Sequence, residues 1–194
     1  MGLILLFVVS ASSGICQNTR QDYSGKFGLY SGSDGLNNGL MIGADGSTEF
    51  LRYDFFLNLG AELYLKKTFN FFKDPKPDIL QQQIVLIPIT AGGAYKIFGV
   101  EDADTKAYIG VGAGYYLYFY AVDYRATTGG ILAFTQSESK SGGNFVATVF
   151  FRALIGKVFV EPKLYIASKK EDAVGPHPYV VNPSGFSIAL GFQY

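Results

Sequence analysis

The sequence has no tryptophan, one cysteine, one histidine and little charge, and its only long helix-like apolar run is Leu3 to Val9. That run is far short of the roughly 20 residues a helix needs to cross a bilayer, which excludes a helical membrane protein. A lone cysteine, Cys16, excludes an intramolecular disulfide. Charged residues make up only 16% of the chain, with 16 Lys and Arg set against 16 Asp and Glu. That balance excludes a disordered chain and a basic protein seeking polyanions, so no nucleic-acid partner is expected. Two groups are in excess instead. Glycine, at 24 of 194 residues, is well above its typical ~7%, and Tyr and Phe bring the aromatics to 16%. Both excesses favour strands over helices.

The chain start is read as an export signal, 1–16, with the barrel domain as 17–194. The apolar run Leu3 to Val9 is followed by the small residues Ser10 to Gly14, then Ile15, Cys16 and Gln17. This is the order of an apolar core and a cleavage region. No basic residue precedes the run, which leaves open whether Met1 is the true start. A cut between Cys16 and Gln17 places Gly14 and Cys16 before the scissile bond. The alternative, a lipidated Cys16, wants a small residue immediately before the cysteine, where Ile15 stands.

From Tyr23 onward the apolar period is two, the signature of strands. In 55–66 one face is Phe55, Leu57, Leu59, Ala61, Leu63 and Leu65, and the other is Phe56, Asn58, Gly60, Glu62, Tyr64 and Lys66. The same split recurs at 40–50, 107–119, 144–155, 158–166 and 186–194, and less cleanly at 23–30 and 84–98. Eight strands follow, separated alternately by long polar connections (31–38, 67–82, 125–142, 168–183) and short ones (51–53, 99–105, 156–157). Long loops at one end and tight turns at the other predict an all-β, eight-stranded antiparallel up-and-down transmembrane β-barrel.

A soluble sandwich or a lipocalin-like barrel would also bury one face, but would bathe the other in water. Here the second face is rich in Gly, Tyr, Ser and Thr and poor in charge, unlike a solvated surface. The apolar face is therefore expected to meet lipid and the mixed face to close on itself. The mixed face carries Lys26, Lys96, Arg152 and Lys163 against Asp45, Glu49, Glu62 and Glu161. In a lumen only wide enough for side chains, opposite charges must pair. The tally predicts a self-neutralising polar plug, with the glycines of that face leaving room for long side chains. Aromatics near strand ends (Phe50, Tyr53, Phe55, Tyr95, Phe192 and Tyr194; Phe119, Phe145 and Phe186) predict two interfacial girdles.

Three stretches carry a family resemblance: Leu86 to Phe98, Ala107 to Tyr115 and Phe159 to Tyr165. They resemble the small outer-membrane β-barrel proteins of Gram-negative bacteria, and Gly60-Ala61-Glu62-Leu63-Tyr64 resembles the PorT-like branch. The ending Phe186, Ile188, Leu190, Phe192 and Tyr194 is similar to the C-terminal signal read by the barrel-assembly machinery in this class, although Phe is the commoner last residue. The resemblance implies an outer-membrane protein of the cell envelope in contact with lipid, handled by that machinery during insertion. It carries over no catalytic residues.

Candidate chemistry is sparse. His177, in Gly175-Pro176-His177-Pro178, is the one residue that a lipid hydrolase would use, but it reads as a loop residue. Gly110, Gly112 and Gly114 mimic a phosphate-cradling loop yet keep strand parity and open no helix. Glu101, Asp102 and Asp104 lack the glycine-centred ligand loop of a Ca²⁺ site. Glu62 and Glu161 would suit proton or ion passage, but a structural salt-bridge lattice is the commoner use. No catalysis, metal or cofactor is expected. The expected role is structural or surface-interactive, through loops 125–142 and 168–183, with a plugged lumen and a possible surface or periplasmic protein partner. The alternatives are a transport- or secretion-associated barrel, as the PorT-like resemblance implies, and a lipid-modifying enzyme using His177.

Overall fold

A computed structural model describes residues 21–33, 36–50, 54–69, 79–99, 104–128, 131–174 and 177–194. The expected signal 1–16, Cys16, Tyr53 and Glu101 to Ala103 lie outside them. Nine strands run β1 (Gln21–Ser33), β2 (Asn37–Phe50), β3 (Phe55–Phe69), β4 (Ile79–Phe98), β5 (Thr105–Thr128), β6 (Ile131–Ile155), β7 (Val158–Ala167), β8 (Lys170–Val174) and β9 (His177–Gln193). Each strand from β1 to β6 pairs antiparallel with the next, β7 pairs with β9, and β9 returns to β1. The result is a closed barrel of eight staves. The short β8 pairs only with the beginning of β9, from Lys170↔Val181 to Val174↔His177, as an arm beyond the barrel.

The register fixes the geometry. Following paired residues from Asp22 through Ser47, Asn58, Gly92, Gly112, Thr148, Tyr165 and Gly185 returns to β1 at Gly32. The ladder thus closes with a stagger of ten residues, from position 22 to position 32. Strands in such a barrel tilt steeply, typically 35–45°, and closure leaves no ladder edge exposed to hydrocarbon.

Period-two patterning decides which side chains face out. Phe27, Leu29, Leu40, Ile42, Leu57, Leu59, Ile89, Ile109, Val111, Leu117, Val149, Phe151, Val160, Leu164, Ile188 and Leu190 are all exposed. Their chain neighbours Lys26, Met41, Glu62, Thr90, Tyr108, Tyr116, Thr148, Arg152, Glu161 and Ala189 are buried. This inversion of a soluble core is what a lipid solvent demands, since large apolar belts are not left facing water. Aromatics mark both borders: Tyr23, Phe55, Tyr95, Phe98, Phe192 and Tyr194 at the end holding the chain terminus, and Tyr115, Phe119, Phe145 and Phe186 towards the other.

At the short-turn end the 156–157 link is as expected, while 51–53 and 100–103 lie outside the described residues. Gly156 adopts φ 60° in a two-residue hairpin with Lys157, where a positive φ at the first central position suits a residue without Cβ. Asp54, at φ 56°, turns β2 into β3 and accepts a backbone hydrogen bond from Lys96 at 2.8 Å. The opposite end departs from expectation in two places. The segment 125–142, expected as a loop, is strand up to Thr128 and again from Ile131, paired from Arg125↔Thr135 to Tyr118↔Gly142. Much of 168–183 is also paired, as the β8–β9 arm. Above the lipid belt a strand has no need of an apolar face, so its Ser- and Gly-rich text imitates a loop.

The lumen has three storeys. Tyr30, Met41, Tyr64, Leu86, Tyr116, Tyr118 and Tyr165 belong to an aromatic cluster on the loop side, joined by Leu36 from the β1–β2 turn. Phe56, Ala94, Tyr108, Phe150, Leu154 and Phe159 form a second on the terminus side. Charged side chains lie between them.

Candidate functional site: the lumenal charge cluster and the rim

Six of the eight charges picked out on the mixed face meet in the middle storey. Lys26 Nζ lies 2.7 Å from Asp45 Oδ1, 2.8 Å from Glu62 Oε1 and 2.7 Å from Glu161 Oε1. One ammonium thus faces three carboxylates, matching its three N–H donors. Arg152 donates through Nε to Glu161 Oε2 at 2.8 Å and through Nη2 to Asp45 Oδ2 at 2.5 Å, with a further Nη2 contact to Glu161. Lys163 Nζ sits 2.6 Å from Glu62 Oε1 and 3.3 Å from Glu161 Oε1. Three cations face three anions, all buried, and Glu161 is only 1% exposed.

Hydroxyls complete the shell. Ser24 Oγ donates to Asp45 Oδ2 at 2.5 Å, and the Tyr165 hydroxyl donates to Glu62 Oε2 at 2.6 Å and lies 3.2 Å from Ser187 Oγ. The Arg152 guanidinium also stacks 4.2 Å from the Phe159 ring centroid, a cation–π contact that caps it from the terminus side. No buried side-chain polar atom among the described residues lacks a partner. Desolvated charges are tolerable only under that condition.

The cluster fits because the strands around it are cut back. A Cβ on Gly43 would come 2.8 Å from Glu62 Cγ and 3.1 Å from Lys26 Cε, so glycine opens the space in which that pair meets. The Phe150 ring lies directly over Gly110, and the Phe159 ring over Gly191. Two small voids lie among the described residues, about 20 Å³ beside Asn58, Tyr108 and Arg152, and about 10 Å³ beside Tyr30, Leu86 and Pro88.

Two members of the expected set lie elsewhere. Lys96 pairs with Asp54 Oδ1 at 2.5 Å at the β2–β3 turn, one storey below the cluster. Parity alone groups it with the lumen charges, whereas Asp54, just before β3, meets it locally. Glu49 is half-buried near the end of β2, next to Phe56 of β3 in the register, and makes no ion pair with the cluster among the described residues. Ser24, Tyr165 and Ser187, by contrast, join the shell without having been singled out. Their signal in the sequence is only inward parity, shared with a dozen other hydroxyls.

At the loop end three lumenal tyrosines reach up to loop backbone. Tyr64 donates to the Leu36 carbonyl at 2.5 Å, Tyr116 to that of Ser168 at 2.8 Å, and Tyr30 to that of Pro183. Lys66 Nζ also donates to the Leu36 carbonyl, at 3.1 Å. The β1–β2 turn, the β7–β8 break and the lower β8–β9 arm are thus drawn over the lumen. Higher still, β5 and β6 rise as a hairpin, braced by Tyr124 donating to Glu138 Oε1 at 2.8 Å.

The other expected positions are placed as follows. Phe186, Ile188, Leu190 and Phe192 all face outward on β9, and Tyr194, which follows that strand, is exposed and closes onto β1 through its N–H to the Tyr23 carbonyl at 2.8 Å. His177 opens β9, opposite Val174. Gly110, Gly112 and Gly114 remain in mid-strand on β5, paired with Phe150, Thr148 and Val146 of β6, so the phosphate-loop likeness has no structural counterpart. No group of metal-ligating side chains occurs among the described residues.

This is the fold of the small bacterial outer-membrane β-barrels. Among solved structures the chain is similar to Ail, the attachment invasion locus protein of Yersinia pestis, in complex with the heparin analogue sucrose octasulfate. That match has a TM-score of 0.54 at 11% identity over 92% of this chain and 100% of that one. It is also similar to Neisserial surface protein A (TM-score 0.54, 13% identity, 91% and 98% covered) and to a major outer membrane protein of Thermus thermophilus (0.50, 10%, 90% and 100%). No protein-family model matches the sequence, and no curated protein matches it.

Proposed function

We propose that the protein is an integral outer-membrane barrel that conducts nothing and acts through what it displays at the surface. In this reading the chain termini and short turns face the periplasm, and the β5–β6 hairpin and β8–β9 arm face outward to meet a protein partner. The segment 1–16 is an export signal removed on the way, and the ending Phe186, Ile188, Leu190, Phe192 and Tyr194 is read by the barrel-assembly machinery. The observation that carries the reading is the filled lumen: a charge cluster neutral within itself, roofed and floored by aromatic storeys, with loop backbone tied down on the phenols of Tyr30, Tyr64 and Tyr116. The hydroxyl that meets a carboxylate there, Ser24 Oγ on Asp45 Oδ2, is buried inside the neutral cluster, and in this reading the role is not enzymatic. Single-channel recording on protein reconstituted in planar bilayers tests it. A silent membrane is expected, and a steady conductance would defeat the plugged lumen in favour of the PorT-like, transport- or secretion-associated role.

A further inference from the structure

Two prolines lie in barrel strands at the level of the charge cluster, and each coincides with a gap in one ladder. Between β3 and β4 the register runs to Ala61↔Ile89 and resumes at Tyr64↔Leu86, leaving Glu62 and Leu63 unregistered against Pro88 and Ile87. Between β6 and β7 it runs to Phe150↔Lys163 and resumes at Ala153↔Val160, leaving Phe151 and Arg152 unregistered against Pro162 and Glu161. In both cases the alignment is the same on either side, so neither gap is a bulge. Each proline keeps its partner on its other flank, Pro88↔Tyr116 and Pro162↔Ile188. The missing N–H therefore falls on the broken seam, at a depth where no water replaces the lost bond.

The two seams divide the wall into a three-strand slab, β4 to β6, and a five-strand slab, β7, β9 and β1 to β3. They are not equally defended. On the β6–β7 seam Arg152 stands opposite Glu161 in the unbroken alignment, and its Nε donates to that carboxylate at 2.8 Å, so a buried ion pair bridges the gap in the backbone ladder. On the β3–β4 seam Glu62 turns instead to Lys26, Lys163 and Tyr165, all within its own slab. Among the described residues no side-chain hydrogen bond or ion pair of Glu62 crosses to β4. Behind this seam, on the lumen side, lies the apolar void beside Tyr64, Leu86 and Pro88.

We propose that the β3–β4 seam beside Pro88 is the place where the barrel wall opens first, while the Arg152–Glu161 pair keeps the β6–β7 seam shut. Residue-resolved hydrogen exchange on the folded barrel in bilayer nanodiscs tests this. The comparison is made at one depth: by the alternation of an antiparallel ladder the Glu62 N–H faces Pro88 across the broken seam, while the Leu117 N–H faces neighbouring Ile87 across the intact β4–β5 ladder. The Glu62 amide is expected to exchange several-fold to about tenfold faster than that of Leu117, the ratio one net hydrogen bond supports. Pro88→Val, which restores an N–H donor, should bring the two together, and Pro88→Ala gives the same readout if valine impairs folding. Arg152→Gln should speed exchange at Phe151 while leaving the Glu62 to Leu117 ratio unchanged. Equal exchange at Glu62 and Leu117 in the unaltered protein, or a ratio indifferent to a new donor at position 88, overturns the proposal.

Discussion

At the level of the charge cluster the two walls of the barrel fill its interior in opposite ways. Strands β7, β9 and β1 to β3 send Lys26, Asp45, Glu62, Glu161 and Lys163 inward, together with Ser24 and Ser187. Facing them, β4 and β5 offer Thr90, Gly92, Ala94, Gly110, Gly112 and Gly114, and only Arg152 of β6 crosses to join the charges. One wall supplies bulk and polarity, and the other supplies room. In an eight-stranded barrel the lumen admits little more than the side chains themselves, so long charged groups from one side require their absence on the other.

The largest expected effect removes the centre of the polar wall. Glu161→Ala leaves Arg152, Lys26 and Lys163 sharing two carboxylates, and losing one partner of a buried ionic group costs about 3–5 kcal/mol. Urea unfolding from lipid vesicles should report that loss, and a change below about 1 kcal/mol would mean that water reaches the cluster. Next comes the outer face. Leu59→Arg should cost about 2–4 kcal/mol if Leu59 lies at the bilayer midplane, whereas Asn58→Ser, one residue along and facing inward, should stay within ~0.5 kcal/mol. Equal insertion of the two variants, judged by gel mobility with and without boiling, would overturn the inside–outside assignment.

A third substitution sharpens the contrast from the roomy side. Gly110→Val forces the Phe150 ring off β5 and should destabilise by about 1–3 kcal/mol, as overpacking does, although the added side chain is apolar. Smallest is Tyr64→Phe, which removes the bond to the Leu36 carbonyl. It should cost about 0.5–1.5 kcal/mol and show chiefly as faster exchange in the β1–β2 turn, with the cluster below undisturbed.

Much of this is legible in the sequence. The alternation at 55–66 and 107–119 identifies the lipid face because a strand's period is two whatever its neighbours do, and that alternation is what an acyl environment selects. The grouping of interior charges was legible only in part. Parity says that Lys96 and Lys26 both point inward, but not that a stagger of ten residues puts Lys26 beside Glu161, 135 positions away, and leaves Lys96 with Asp54. Height in a tilted barrel depends on every register at once, and no local window contains it. The same limit hid Tyr165 and Ser24 among other inward hydroxyls. The β5–β6 hairpin escaped for a different reason: outside the bilayer nothing obliges a strand to alternate, so Thr135 to Gly142 looks like connecting chain.

The roof over the lumen hangs chiefly on phenol-to-carbonyl bonds, in which neither partner carries a charge. Ions in the surrounding medium weaken exposed charge pairs over distances of about 10 Å at 0.1 M, but they have little purchase on neutral dipoles held against rings. A cell moving between dilute and briny water would therefore change the dress of its surface loops without lifting this cover.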